Sequence, residues 1–330
     1  MIKNKFIYFY RNIFMYFILS MAIIVSAYFF YGELKNSWDI IRSYKPIIKI
    51  VYIIVAFFVT LLAFLTDSFL FHICLNEHTE KKKISFLISA IIFNTSNIFK
   101  YIPGRIWGYT AQALWFSKKG IPQSKLLYVN FLCFFSVLFV SIFLGILYIA
   151  CYFLIMSSTG KIILLVFLAL DLFFVFWHAK LINFLIRIMK NFLHNEIQIP
   201  HMPKSLLIGM QITYLVQWNL IGLGGYFLAQ GIGLEVSFAD FYAILASMSI
   251  SWVVGYLSII TPAGLGIREG VMYLMLNHIT NVNISLLMPI STRILHILVE
   301  VLLSFIGLLL AIKFRIFSET SVTNEEILRR

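Results

Sequence analysis

Two arginines stand where apolar sequence tolerates them least. Arg105 follows Pro103-Gly104, and Arg268 follows Pro262-Ala263-Gly264-Leu265-Gly266-Ile267. Proline and glycine interrupt or restart helices, and both elements lie inside long hydrophobic sequence. An arginine at the centre of a bilayer costs about 2.5 to 3.5 kcal/mol on insertion scales. A helix that restarts after a break exposes unpaired N–H groups and partial positive charge. A guanidinium there adds five donors in a planar fork, a combination suited to an oxyanion such as a phosphate. The alternative use of these arginines is snorkelling to the membrane surface.

The remaining polar residues group around the same two places. Glu269 adjoins Arg268, but adjacent helical residues do not share a face. Its expected partner is therefore another cation, Arg293 or Arg105, and its expected role is to balance the local positive charge when no anion is bound. Arg293, His296 and Glu300 fall on roughly one face of the last apolar run. Asn94, Ser96, Asn97 and Lys100 precede the first break, where they either hydrogen-bond a headgroup or satisfy opened backbone. The expected binding set is Arg105, Arg268, Glu269, Asn94, Asn97 and Arg293, with helix breaks at Pro103, Gly104, Pro262, Gly264 and Gly266. Trp107, Tyr109 and Trp115 are expected at the entrance or the interface. Asp67 and Asp171 also fall in apolar runs, with no partner legible in the sequence.

Other chemistries find no support. The chain has no GxxxxGK phosphate loop, HExxH, GxSxG or CxxC motif and no EF-hand loop, and no nucleophile–base pair can be placed. Cys74, Cys133 and Cys151 lie in or beside apolar runs without metal spacing, so they read as small hydrophobes. No metal or other cofactor is expected. The formal charge of +12 resides mainly in short segments between apolar runs. Anionic lipid headgroups and a positive-inside bias account for it, and no nucleic-acid partner is expected.

The elements that must hold these residues are membrane helices. Of the 330 residues, 61% are hydrophobic and 12% charged, against roughly half and a quarter in soluble domains. Apolar runs cover about 13–31, 50–73, 84–116 with its break, 126–155, 162–177, 206–228, 238–276 with its break, and 284–312. The first run is too long for a signal peptide and lacks a small-residue cleavage site, so it is expected to remain as a helix. The order of spans and breaks repeats at an offset of about 150 to 160 residues. This predicts a single all-α polytopic membrane domain over 1–330, with one repeat at about 12–156 and another at about 161–312. If each broken pair is re-entrant, there are about six full spans plus two broken hairpins, and the two repeats are inverted. Two full crossings in place of a broken pair are the alternative, because the run beginning at Phe238 is long enough to span.

Lysine and arginine placement orients the chain. Lys3, Lys5, Arg11, Lys81–Lys83, Lys118, Lys119, Lys125, Lys180, Arg187, Lys190, Lys204 and the basic tail fall on one side. That side is the cytoplasm, and both termini are expected there. The loop with Lys35, Arg42, Lys45 and Lys49 runs against the bias.

With these residues in place, the sequence resembles a flippase-like integral membrane family, related to the transmembrane part of lysylphosphatidylglycerol synthases. The resemblance rests on Asn94, Pro103-Gly104-Arg105, Trp218, the run from Pro262 to Glu269, and Arg293. It implies movement or handling of lipids, or a part in making lipid-linked envelope molecules, in a bacterial cytoplasmic membrane. Full-length synthases carry a soluble aminoacyl transferase domain after the membrane part. This sequence ends at Arg330 soon after its last apolar run, so it is expected not to make aminoacylated lipid by itself. The expected function is a transporter or flippase of an anionic phospholipid or a polyprenyl-phosphate-linked precursor. The alternative is a non-transporting subunit that scaffolds an envelope-biosynthesis enzyme.

The segment 178–204 interleaves basic residues with Phe, Leu and Ile, the pattern of an interfacial helix and linker on the cytoplasmic side. An engineered cysteine at His194 should accordingly label only from the cytoplasmic face in oriented vesicles. Labelling from outside alone would reverse the topology.

Overall fold

The computed structural model describes residues 47–77, 83–101, 107–153, 202–258, 264, 266–277, 280, 282–314 and 316, with isolated positions between 162 and 180. The apolar run at 13–31 lies outside the described residues, as do most of the run at 162–177 and of the segment 178–204.

Every regular element among the described residues is helical. In chain order these are α1 (Ile50–Asn76), α2 (Phe86–Asn97) continued by a 3-10 turn (Ile98–Tyr101), α3 (Trp107–Ser117) and α4 (Gln123–Phe153). There follow α5 (Lys204–Gly231), α6 (Phe238–Leu257), α7 (Ile267–Asn277) and α8 (Val282–Lys313). Five of them, α1, α4, α5, α6 and α8, are long and apolar enough to cross a membrane. At about 1.5 Å per residue they match or exceed the roughly 30 Å of hydrocarbon. The chain is an all-α polytopic membrane protein. α6, with 20 residues, is long enough to cross on its own, whereas α2, with 12 residues, is not.

Small residues set how closely these helices approach, because lipid offers no hydrophobic driving force for helix pairing. α1 packs most extensively on α5. A Cβ on Gly224 of α5 would collide with the Thr60 side chain and lie 3.4 Å from the Ala56 carbonyl oxygen. α4 packs on α6, where Gly145 abuts Ile250, and α8 packs on α2, where Gly307 abuts Thr95 and the Ile91 carbonyl. α3 lies against α2 and α4, and α7 against α6 and α8. Around these contacts Phe71, Trp115, Phe116, Tyr128 and Tyr214 are almost wholly buried.

Polar ties fix the short connections. Asn76 at the end of α1 donates to the Ile84 carbonyl at 2.9 Å and accepts from the Ile84 N–H at 2.8 Å, stapling α1 to the start of α2. Ser304 of α8 donates to the Asn94 carbonyl at 2.8 Å, inside the α2–α8 contact.

Gly224→Ala should therefore lower thermal stability by about 1 to 3 kcal/mol, the range for overpacking a tight contact. Gly209→Ala, in the same helix with nothing within 4 Å of the new methyl, should be neutral or slightly stabilising. Melting curves of both variants in one detergent check the contrast.

Candidate functional site

The two broken pairs, α2–α3 and α6–α7, meet α1, α4, α5 and α8 around two adjoining cavities. The smaller, about 120 Å³, is lined from α1, α4, α5, α6, α7 and α8. The larger, about 240 Å³, adds α2 and α3 to its walls. Phe64, Asp67, Val137, Trp252, Arg268 and Glu300 border both.

Arg268 is placed there by glycine. Gly264 and Gly266 hold φ of 73° and 80°, conformations that L side chains rarely adopt. A Cβ on Gly264 would stand 2.7 Å from the Gly255 carbonyl oxygen, so the loop backbone rests directly on α6. Gly255 also leaves the space through which the Arg268 side chain passes, since a Cβ there would overlap Cγ and lie 2.8 Å from Nε. The Arg268 guanidinium carbon sits 6.0 Å from the Trp252 ring centroid, within cation–π range.

Two ion pairs stand in the cavity walls. Arg293 Nε lies 3.3 Å from Glu269 Oε1, with side chains 5% and 9% exposed. The other oxygen, Glu269 Oε2, accepts the Gly266 N–H at 2.7 Å. This is the return arm of a capping box, and it puts an acid in the first turn of α7, where the helix dipole favours it. Of the two partners expected for Glu269, Arg293 faces it, while Arg105 lies outside the described residues. Lys100 Nζ lies 2.6 Å from Glu300 Oε1, and the Tyr101 hydroxyl donates to Glu300 Oε2 at 2.6 Å. The Arg293, His296 and Glu300 face does line the smaller cavity, but Glu300 reaches across to the first half of the chain instead of along its own helix. Neither ion pair includes Arg268, and its buried Nε has no hydrogen-bond partner among the described residues. Asp67, Glu269 and Glu300 against Lys100, Arg268 and Arg293 give the described cavity walls no formal net charge.

The two asparagines differ. Asn94 lines the larger cavity, and its amide donates to Ser68 Oγ at 2.8 Å and to the Ala90 carbonyl at 2.9 Å, so it ties α2 to α1. Asn97 lines the same cavity. Pro103, Gly104, Arg105 and Pro262 lie outside the described residues. The sequence reading missed an amide chain, in which Asn130 donates to Gln112 Oε1 at 2.9 Å and Gln112 donates to Ser96 Oγ at 2.8 Å. It also missed the aromatic wall, where Tyr256 stacks on Trp252 at 5.2 Å and on Phe134 at 4.5 Å and meets the Tyr109 hydroxyl at 3.0 Å. Uncharged amides inside apolar helices were the available signal. Aromatics were too common to stand out. Among the described residues no group of three or more His, Cys, Asp or Glu side chains is placed to hold a metal.

Long apolar helices that enclose a cavity of compensated charge at paired helix breaks define a polytopic membrane protein with a polar interior. Residues 17–307 match the family described as Lysylphosphatidylglycerol synthase TM region, a flippase-like membrane family, and the chain belongs to it. No curated protein matches the chain.

Removing one partner of a buried ion pair strands the other, at about 3 to 5 kcal/mol. Glu269→Gln should therefore lower thermal stability by that order, and adding Arg293→Gln should recover part of the loss. Simple additivity of the two changes in detergent melts would mean that the pair is not coupled.

Proposed function

We propose that the chain moves an anionic lipid, or a lipid-linked envelope precursor, across the bacterial cytoplasmic membrane. The observation that carries this reading is Arg268. It borders both cavities from the start of α7, and neither ion pair of the described residues includes it. A guanidinium beside a helix N-terminus, held away from water, favours a phosphate. Arg105, from the first break, is the proposed second cation. Asn97 supplies neutral hydrogen bonds, Asn94 holds α2 in place, and Glu269 keeps Arg293 neutralised with or without cargo.

The packing pattern supports an inverted repeat over about 12–156 and 161–312. If α1 corresponds to α5, α2 to α6, α3 to α7 and α4 to α8, each contact in one half has a counterpart in the other. α4 lies on α6 as α8 lies on α2, with Gly145 and Gly307 at the two contacts. Repeats of this kind let one half rock against the other around a fixed site, with broken helices lining it. In this reading both termini are cytoplasmic, and energy comes from a gradient, from a partner enzyme of envelope synthesis, or from downhill movement.

Arg268→Gln should weaken binding of an anionic phospholipid about ten- to a hundred-fold, the loss of one charge-assisted bond. Lys313→Gln, which removes an exposed charge at the end of α8, should change it little. The titration uses purified variants matched for melting temperature in one detergent. Liposomes holding the protein alone then separate the functions: a labelled anionic lipid crosses if the protein is a transporter and stays in its leaflet if it is a scaffold. Unchanged binding by folded Arg268→Gln would remove Arg268 from the site.

A further inference from the structure

The smaller cavity carries polar atoms that nothing in its walls satisfies. Trp218 Nε1, Gln217 Oε1, Arg268 Nε and His296 Nε2 are each buried with no hydrogen-bond partner among the described residues. All four residues line this one cavity. Trp218 and Gln217 are each only 3% exposed. Orphaned buried polar atoms are uncommon, and several converging on one void imply that something with matching polarity occupies it.

The types of the orphans define that occupant. The indole N–H and the arginine Nε–H can only donate, so they require acceptor oxygens. Gln217 donates its amide to the Asp67 carboxylate, which fixes the flip and leaves Oε1 as an acceptor in need of a donor. His296 Nε2 serves either way by tautomer. A methyl phosphodiester offers acceptors but no donor for Gln217. An ammonium headgroup offers donors but nothing for the indole, and it would sit among two arginines. A hydroxyl both donates and accepts. Apolar faces are offered to the same cavity by Phe64, Ile221, Met248 and Met272, with Trp252 edge-to-face on Trp218 at 6.0 Å. A lining that mixes apolar faces with polar groups suits a ring whose C–H faces meet the former and whose hydroxyl edge meets the latter.

We propose that the smaller cavity is a subsite for a sugar or cyclic-polyol ring attached to the cargo's phosphate. The cargo is then a glycosyl- or cyclitol-phosphate lipid. Its phosphate sits at Arg268, where the cavities adjoin, and its ring lies between Trp218 and His296. This assignment rests on the anionic-lipid reading above and adds the ring to it.

The test is calorimetric titration of the purified full chain in detergent with three short-chain lipids that share a phosphodiester. These are dihexanoyl phosphatidylinositol, which has a hydroxylated ring, dihexanoyl phosphatidylglycerol, which has an open polyol, and dihexanoyl phosphatidylmethanol, which has no hydroxyl. The inositol lipid should bind about ten-fold or more tighter than the methanol lipid, with the glycerol lipid between them. Trp218→Phe and Gln217→Leu should each erase most of that preference while leaving the methanol lipid's affinity in place. Equal binding of the three lipids by the unaltered protein would overturn the subsite, a result that needs no variant to fold. Retention of the preference in both folded variants would overturn its placement in this cavity. Arg268→Gln separates the two readings. If it weakens all three lipids alike and no ring preference exists, only the subsite is lost. If it changes none of them, the phosphate assignment falls instead.

Discussion

Glu269 serves two groups at once. One carboxylate oxygen takes the Gly266 N–H that the broken chain leaves open, and the other faces Arg293 on the neighbouring helix. In hydrocarbon neither an open backbone donor nor a bare guanidinium is tolerable. This single side chain therefore starts α7, fastens it to α8 and hides a charge. The placement of Arg268 follows from it. Its side chain leaves the same turn in a different direction, through the gap at Gly255, and so reaches the cavities while Arg293 stays engaged. Lys100, Tyr101 and Glu300 repeat the arrangement in other chemistry, joining the end of the first broken arm to α8. α8 thus carries one half of each clamp, and one arm of each broken pair is held against it.

α8 is itself irregular where it meets the smaller cavity. Pro289 lies within the helix and cannot donate to the turn before it. Thr292 turns its hydroxyl back to the Met288 carbonyl at 2.7 Å and the Pro289 carbonyl at 3.2 Å, keeping the hydroxyl proton out of the void. Both residues line the cavity. Backbone irregularity in the membrane is expected only where protein or enclosed water can satisfy it, and here it coincides with the polar interior.

Much of the architecture was legible because hydrocarbon is a simple solvent: run length and charge content locate helices almost without regard to tertiary context. The run beginning at Ile50 became α1, extended to Asn76 because the asparagine caps the loop to Ile84. The second break was legible because Gly264 and Gly266 can adopt positive φ where other residues strain. Arg293 was one of two partners that charge balance allowed for Glu269. The pairing of Glu300 with Lys100 was not legible, since helix periodicity ranks neighbours on one helix and is silent across 200 residues of chain. Gln217 and Gln112 were overlooked for a related reason: an uncharged amide in an apolar helix has a modest cost, and its meaning depends on which cavity it faces. Asn94 carries the opposite lesson, a motif residue whose amide is taken up by tying two helices together.

The absence of net formal charge on the described cavity walls has a consequence for membrane voltage. Among the described walls the charges cancel, so in the proposed transport cycle any charge on the empty site would come from Arg105. Over a complete cycle of that kind the protein's own charges would return to where they began, so the net charge moved would be that of an anionic cargo alone. Each elementary charge crossing 100 mV is worth about 2.3 kcal/mol. A cell interior held negative would then push an anionic headgroup outward and resist its return, which would give the proposed cycle a preferred direction without nucleotide hydrolysis.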